Sequence, residues 1–248
     1  MVRQASLAAF CMDDAPATSY HLLTLARAPL GASFLLPARI IAMYTPPAFR
    51  DDNPDWIHDF VERHDFGLLI SADPLMASHL PFHLVRPQGE QPARLLCHLA
   101  RANPHWQAFQ GEGAPVLAMF RGSHAYVSTA WYGVHPAVPT WNYDAVEAEG
   151  HARLIEDPAG IATQMRALAA AYEPEGGFDM DNQPQKYMDG MFRALVGVEI
   201  TVTRWTGKRK QSQNRPMGDR IAVAAALEAR GEHVAAAALR DANGLDKA

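Results

Sequence analysis

Hydrophobic residues recur with a period of two in several short segments of the chain, which is the pattern of half-buried β-strands. Such segments predict strands over residues 66–71, 77–85, 93–100, 116–120, 125–129, 146–155 and 198–205. The first two are predicted to form a hairpin around Asp73-Pro74, and the fourth and fifth flank a turn at residues 121–123. Short strands with connections of this length indicate an antiparallel barrel or sandwich.

Helical patterns begin at junctions in which Asn or Asp precedes proline: Asn53-Pro54, Asn103-Pro104 and Asp157-Pro158. Such residues are good N-caps, and proline fits the first helical position. The three helices are predicted to end near residues 63, 111 and 172. A fourth helix is predicted over residues 184–195, and an alanine-rich helical pair over residues 219–243, with a break at Gly231. Helices inserted among antiparallel strands give an α+β fold.

Residues 1–42 show neither a helical nor a strand period, whereas structured character begins abruptly at Met43. We therefore expect this segment to be a loosely ordered or non-native extension, with Met43 as the natural start. The alternative is a genuine N-terminal arm. The predicted domain spans residues 43–242.

Composition narrows the function classes. The 248 residues are 48% hydrophobic and 20% charged, as in ordinary soluble proteins. A formal net charge of −5 disfavours a general nucleic-acid coat protein, which is normally basic. Cys11 and Cys97 form neither a CxxC motif nor a disulfide framework, so we expect a cytoplasmic location. Runs of about 18 apolar residues, as a membrane span requires, are absent from the sequence.

An arginine near a helix start is the first candidate for chemistry. Arg101 follows a predicted strand and precedes the helix that Asn103 is predicted to cap. Backbone N–H groups at a helix N-terminus and a guanidinium can converge on one anion, such as a phosphate. The same junction is also common as a purely structural device.

Aromatic and amide side chains cluster in two neighbouring segments, residues 128–132 and 138–143. They suit a planar heterocycle or a subunit interface, although core aromatics have the same signature. His79 and His83 lie four positions apart around Pro81 and lack a third ligand nearby, so we expect a polar wall around a ligand rather than a metal site.

Residues 204–215 carry five positive charges and no acid: Arg204, Lys208, Arg209, Lys210 and Arg215. The segment is a solvated basic loop, a phosphate clamp or a patch that contacts nucleic acid. Its embedded amides, including Gln213 and Asn214, favour a defined pocket because amides hydrogen bond directionally. The sequence contains no P-loop, GxSxG or HExxH motif, and no nucleophile–base pair stands out.

Seven ordered motifs together resemble the PaiB family of FMN-binding negative transcriptional regulators. They are MYTPPAF from Met43, SHLPF from Ser78, HLARANP from His98, AYVS from Ala125, WY at Trp131, PTWNY from Pro139 and KQSQNR from Lys210. The resemblance implies a six-stranded antiparallel Greek-key split barrel with peripheral helices. It also implies a homodimer with FMN at the interface.

The resemblance further implies a set of FMN-binding residues. They are Ser78, His79, Leu80, Pro81, His98, Ala100, Arg101, Asn103, Trp141, Asn142, Tyr143, Lys210, Gln213 and Asn214. Arg101 and the helix at Asn103 would hold the phosphate, and residues 78–81 would line the edge of the isoalloxazine ring. Three functions stay open: a flavin-binding repressor, an FMN-dependent oxidoreductase and a non-catalytic flavin-binding module. DNA, if bound, would meet the basic residues between Arg204 and Arg215, because no basic recognition helix is evident.

Overall fold

The structure is a computed structural model, and it describes residues 43–246. The strands in this part of the chain are β1 (Phe66–Ala72), β2 (Leu75–Pro81), β3 (His83–Val85), β4 (Arg94–Ala100), β5 (Ala114–Val127), β6 (Thr140–Ile155) and β7 (Leu195–Lys210). The helices are α1 (Pro54–Arg63), α2 (Pro158–Tyr172), α3 (Gln185–Arg193), α4 (Met217–Ala229) and α5 (His233–Asn243). Short 3₁₀ turns occupy Pro47–Phe49, Pro104–Phe109 and Thr129–Trp131. The predicted extension, residues 1–42, lies outside the described residues.

All strands belong to one antiparallel sheet with the order β2-β1-β5-β6-β7-β4-β3. The edge strands β2 and β3 are consecutive in the chain and separated only by Phe82, so the sheet curls back on itself and β2 contacts β4. The described residues contain seven strands rather than the six that the resemblance implies. The predicted strands 116–120 and 125–129 join as β5, whereas the predicted strand 77–85 divides at Phe82 into β2 and β3. Proline at position 81 has no N–H, and the N–H of Phe82 donates to the carbonyl of Asp65 (2.8 Å).

Three strands are longer than the sequence predicts. The predicted turn at residues 121–123 is a bulge between Arg121 and His124, and β5 runs through it as one strand. Strand β6 begins at Thr140 and β7 extends to Lys210, where Tyr143 pairs with Lys210. Residues 206–210, where the sequence predicts no strand, continue β7, because pairing with β6 satisfies their backbone. A solvated loop, one of the three interpretations of residues 204–215, therefore does not describe residues 204–210.

The predicted helix starts are confirmed. Asn53 accepts a hydrogen bond from the N–H of Asp55, and Asp157 accepts one from Gly160. Asn103 also caps its segment, but that segment is a 3₁₀ turn of six residues. The C-terminal helices α4 and α5 separate at Gly231, whose φ of +76° suits glycine. Within residues 43–246, every helix is too short or too polar to cross a membrane.

The buried apolar residues form two clusters. One fills the inside of the curled sheet and includes Leu69, Leu95, Phe120, Val146 and Ile200. The other lies where α4 and α5 cover the far ends of β5 and β6, and includes Val127, Tyr132, Val223, Leu227 and Leu239. The second cluster holds α4 and α5, the two helices that follow β7 in the chain.

Candidate functional site

The predicted site residues separate into two groups. The Ser78 group comprises Ser78, His79, Leu80, Pro81, His98, Ala100, Arg101 and Asn103. The Lys210 group comprises Trp141, Asn142, Tyr143, Lys210, Gln213 and Asn214. His98 pairs with Gly197 near the start of β7, whereas Tyr143 pairs with Lys210 at its end. Thirteen residues of extended strand reach at most about 40 Å along β7, so the two groups lie toward opposite ends of this strand.

Ser78 and Asn103 are in direct contact. The side-chain amide of Asn103 donates to Ser78 Oγ (3.2 Å), which also hydrogen bonds to Nδ1 of His105 (2.8 Å). His105 Nε2 in turn lies 3.0 Å from Ser71 Oγ. These contacts attach the turn at Asn103 to β1 and β2.

His105 was missed from the sequence, although it is fully buried at the centre of this network. Burial lowers the pKa of its imidazole, which favours the neutral ring. Ser71 and Ser78 occupy paired strands at positions that the strand alternation directs inward. The sequence carries no local signal for His105, because it meets the two hydroxyls only when β1, β2 and the turn at Asn103 come together.

The other residues of β2 contribute differently. The side chain of Leu80 is buried in the core, so only its backbone is available to a ligand. His79 is exposed and stacks on Phe66, with ring centroids 6.3 Å apart. Pro81 is half-buried at the end of the strand.

His98 points away from the barrel interior, since Cys97 and Leu99 on either side of it are buried. Its Nδ1 atom is buried and has no hydrogen-bond partner among residues 43–246. Burial lowers the pKa of the imidazole, so the ring is neutral near pH 7. Ala100 is on the same side of β4 and is exposed.

Arg101 joins β4 to the end of α3. Its Nε donates to the carbonyl of Arg193 (3.0 Å) and its Nη2 to that of Leu195 (3.2 Å). Its guanidinium also lies over the ring of Trp106. The remaining nitrogen, Nη1, is 3.9 Å from Glu156, and the side chain is 41% exposed. The arginine thus has a structural role and still presents one nitrogen to a ligand.

Three members of the Lys210 group, Asn142, Lys210 and Asn214, line a cavity of about 180 Å³. It is lined by Phe49, Tyr132, Val138, Thr140, Asn142, Lys210, Ser212, Asn214 and Arg215. Asn142 is buried and hydrogen bonds to Ser212 (3.0 Å), which adopts a positive φ of 64° in the turn after β7. Because a positive φ is energetically unfavourable for a non-glycine residue, the hydrogen bond from Asn142 helps to stabilise the turn.

Within this group, the side chain of Gln213 stabilises the turn that follows β7. Its amide accepts from the N–H of Gln211 (2.7 Å) and donates to the carbonyl of Arg209 (2.6 Å). Lys210 donates to the carbonyl of Trp141 (2.8 Å). The indole of Trp141 itself is 52% exposed and packs against Tyr126. Its flat face is therefore accessible to a planar molecule.

The five basic residues predicted to meet DNA are engaged within the protein. The pairs are Arg204 with Glu149, Arg209 with Asp241, Arg215 with Asp219, Lys208 with the carbonyl of Tyr44, and Lys210 with the carbonyl of Trp141. Lys208 is buried. Three of these charges are paired with carboxylates and two donate to backbone carbonyls, so residues 204–215 are not the solvated basic loop that was one interpretation of the sequence.

Comparison with known proteins identifies the family. Residues 43–204 match the family described as "Putative FMN-binding domain". The Bacillus subtilis protein named Protease synthase and sporulation protein PAI 2 is 31% identical over 190 residues, which cover 75% of this chain and 89% of that protein. The chain belongs to the PaiB family. An uncharacterized protein of Aspergillus fumigatus is 27% identical over 243 residues, with coverage of 77% and 93%.

A solved structure supports the fold. The conserved hypothetical protein Rv2991 of Mycobacterium tuberculosis superposes with a TM-score of 0.50 at 15% identity, over 70% of this chain and 94% of that one. The predicted antiparallel split barrel with peripheral helices is confirmed. The match to the putative FMN-binding domain supports a flavin cofactor.

The residues present fit such a cofactor. FMN carries a phosphate, a chain of hydroxyl groups and a planar ring. Around the cavity of about 180 Å³, Lys210 supplies positive charge, and Thr140 and Asn214 supply a hydroxyl and an amide. The exposed indole of Trp141 adds a stacking surface.

Proposed function

We propose that this protein is a cytoplasmic, FMN-binding regulator of transcription that acts as a homodimer, with FMN between the two copies. The separation of the two groups along β7 is the observation that carries the proposal. A separation along most of β7 is longer than one FMN molecule, so both groups can contact one FMN only if they come from different copies. A two-fold axis then creates two equal sites.

An exposed apolar face supports the dimer. Leu68 pairs with Met119 and Ile70 with Leu117 on the outward side of β1 and β5, and all four side chains are half-buried. Phe66, at the start of β1, is 66% exposed. Contiguous apolar side chains on the outside of a sheet are typical of a protein interface. Burying this face against its equivalent would remove it from water.

Within each proposed site, the two copies have different tasks. Arg101 of one copy uses its Nη1 for the phosphate, while backbone groups of residues 78–81 line the ring. Lys210 and Asn214 of the other copy complete the site. When bound, the flavin supplies hydride or electron transfer, and the protein supplies position and charge.

Mixed dimers test the proposed arrangement. Ala100→Glu alters the Ser78 group and Asn214→Glu alters the Lys210 group; both positions are exposed. Each variant alone should lose FMN, because each of its two sites contains one altered group. After unfolding and refolding together, about a quarter of the sites should bind FMN, because half of the dimers are mixed and each has one intact site. Gln110→Glu, also exposed, is the control for added charge. A mixture that stays free of FMN would contradict the shared site.

One observation favours a second function, an FMN-dependent oxidoreductase. His98 presents a neutral imidazole with an unpartnered Nδ1 next to the proposed site. Such a group can orient a substrate or move a proton.

Anaerobic titration with NADPH distinguishes the two functions. Flavin absorbance that persists, together with a DNA mobility shift, supports the regulator. Flavin absorbance that NADPH bleaches, with loss of turnover in His98→Ala, supports the oxidoreductase. Purified protein that shows no flavin bands after incubation with FMN would overturn the cofactor assignment and both functions.

A further inference from the structure

In the hydrogen-bond network around His105, the donor and the acceptor of each bond can be assigned by counting the available hydrogens. The hydroxyl of Ser71 donates its only hydrogen to the carbonyl of Pro74 (2.6 Å). It must therefore accept from His105 Nε2 at 3.0 Å, which places the imidazole hydrogen on Nε2. Burial lowers the pKa of His105 and keeps the ring neutral, so Nδ1 is a bare acceptor.

The tautomer of His105 determines whether the Ser78 hydroxyl donates or accepts. Because His105 Nδ1 is an acceptor, the Ser78 hydroxyl donates its hydrogen to it (2.8 Å). The amide of Asn103 donates to the same oxygen (3.2 Å), and its orientation is fixed because its own oxygen accepts from the N–H of His105 (3.0 Å). A hydroxyl oxygen accepts two hydrogen bonds, so Ser78 keeps one lone pair and no hydrogen for a ligand.

We propose that His105 is a positioning residue that makes Ser78 an obligate acceptor, and that Ser78 accepts a hydrogen bond from the imide N–H of the flavin ring. The inference rests on the proposed FMN site, in which residues 78–81 line the ring edge. The imide is the only N–H that an oxidised isoalloxazine ring carries. An acceptor at the ring edge therefore selects this group, and half-buried Ser78 is accessible to it.

The test compares FMN with its N3-methyl analogue, in which the imide hydrogen is replaced. The full-length parent should bind the analogue about three- to tenfold more weakly, the range for one lost hydrogen bond. Ser78→Ala should bind the two flavins equally. Ser123→Ala is the control, because it removes the hydroxyl of a half-buried serine in the bulge of β5, outside this hydrogen-bond network, and should retain the discrimination. Discrimination that persists in Ser78→Ala, or is absent in the parent, overturns the proposal.

The direction of the network can be measured without flavin. ¹⁵N NMR of the apo-protein should show His105 as the neutral Nε2–H tautomer near pH 7. A hydrogen on Nδ1 would overturn the proposal even if Ser78→Ala does not fold. If the parent binds no FMN while the tautomer is as expected, it is the proposed function that fails.

Discussion

At the scale of single residues, Arg101 has two roles. Its side chain hydrogen bonds to the end of α3, and it presents one nitrogen to the phosphate of the proposed FMN. Arg101→Ala should weaken FMN binding about ten- to a hundredfold, the range for a lost hydrogen bond to a charged group. Arg101→Lys should bind FMN with an affinity between those of the parent and Arg101→Ala, since an ammonium group keeps the charge but lacks the paired N–H donors of the guanidinium. Fluorescence titration with FMN gives the affinities, and circular dichroism checks the fold. Unchanged affinity in a folded Arg101→Ala protein would leave Arg101 with its structural role only.

Asp144 predicts a dependence of stability on pH. It is buried, and desolvation raises its pKa from 3.8 to about 6, although a hydrogen bond from Gln211 and the charge of Arg209 oppose the shift. Between these values the folded state binds a proton that the unfolded state has released, so stability falls as pH rises. One pKa unit is worth about 1.4 kcal/mol, so the loss is about 3 kcal/mol.

Asp144→Asn should remove that dependence, because the asparagine oxygen can still accept from Gln211. Urea unfolding at pH 4 and pH 7 should show the parent losing stability relative to the variant. Asp246→Asn, at an exposed position near the C-terminal end of the described residues, is the control. Parallel curves for the parent and Asp144→Asn would show that the carboxyl titrates normally.

The sequence identified these residues unevenly. Arg101 and Asn103 could be predicted because a capping residue and proline are local signals. Gln213 was predicted to bind the cofactor, but its amide is used by the backbone of its own turn. His105 could not be assigned, because its role depends on hydroxyls that lie 27 and 34 residues away.

At the scale of elements, β7 packs directly against the segment that precedes α1. The N–H of Asp51 donates to the carbonyl of Gly207 (3.2 Å), and a side chain at Gly207 would overlap the carbonyl oxygen of Asp51. Gly207→Ala should therefore cost about 1–3 kcal/mol, the usual range for overpacking a well-packed site. Gly218→Ala in α4, where no neighbour lies within 4 Å, should leave stability unchanged or slightly higher. Equal unfolding free energies for the two variants would contradict this packing.

The helices were easier to predict than the ends of the strands. Caps and proline mark α1 and α2 locally, whereas the length of β5, β6 and β7 depends on pairing between distant segments. Residues 121–123 have the composition of a turn, but β6 pairs with both flanks and makes them a bulge. Residues 204–210 carry charges typical of a loop, yet most of these charges face partners on neighbouring elements.

At the scale of the whole molecule, the sequence motifs that suggest a single site lie at both ends of one strand. Motif order does not reveal this separation, because it appears only when β4, β6 and β7 are paired. The apolar face of β1 and β5 is also invisible in the order of the motifs, since Leu68 and Met119 become neighbours only when these strands pair. Both features agree with a dimer whose interface contains the cofactor.

Charge over the whole molecule leads to a prediction about DNA. The formal net charge is −5, and the basic residues of β7 and its turn are paired or hydrogen bonded within the protein. Phosphate contacts require cations that release counterions, and a cation already paired with a carboxylate contributes little. We therefore expect Arg204→Gln to bind promoter DNA like the parent, with the same salt dependence. Fluorescence anisotropy at low and moderate salt measures both quantities. A weaker complex, with a slope against the logarithm of salt reduced by about one, would show that Arg204 leaves Glu149 to contact a phosphate.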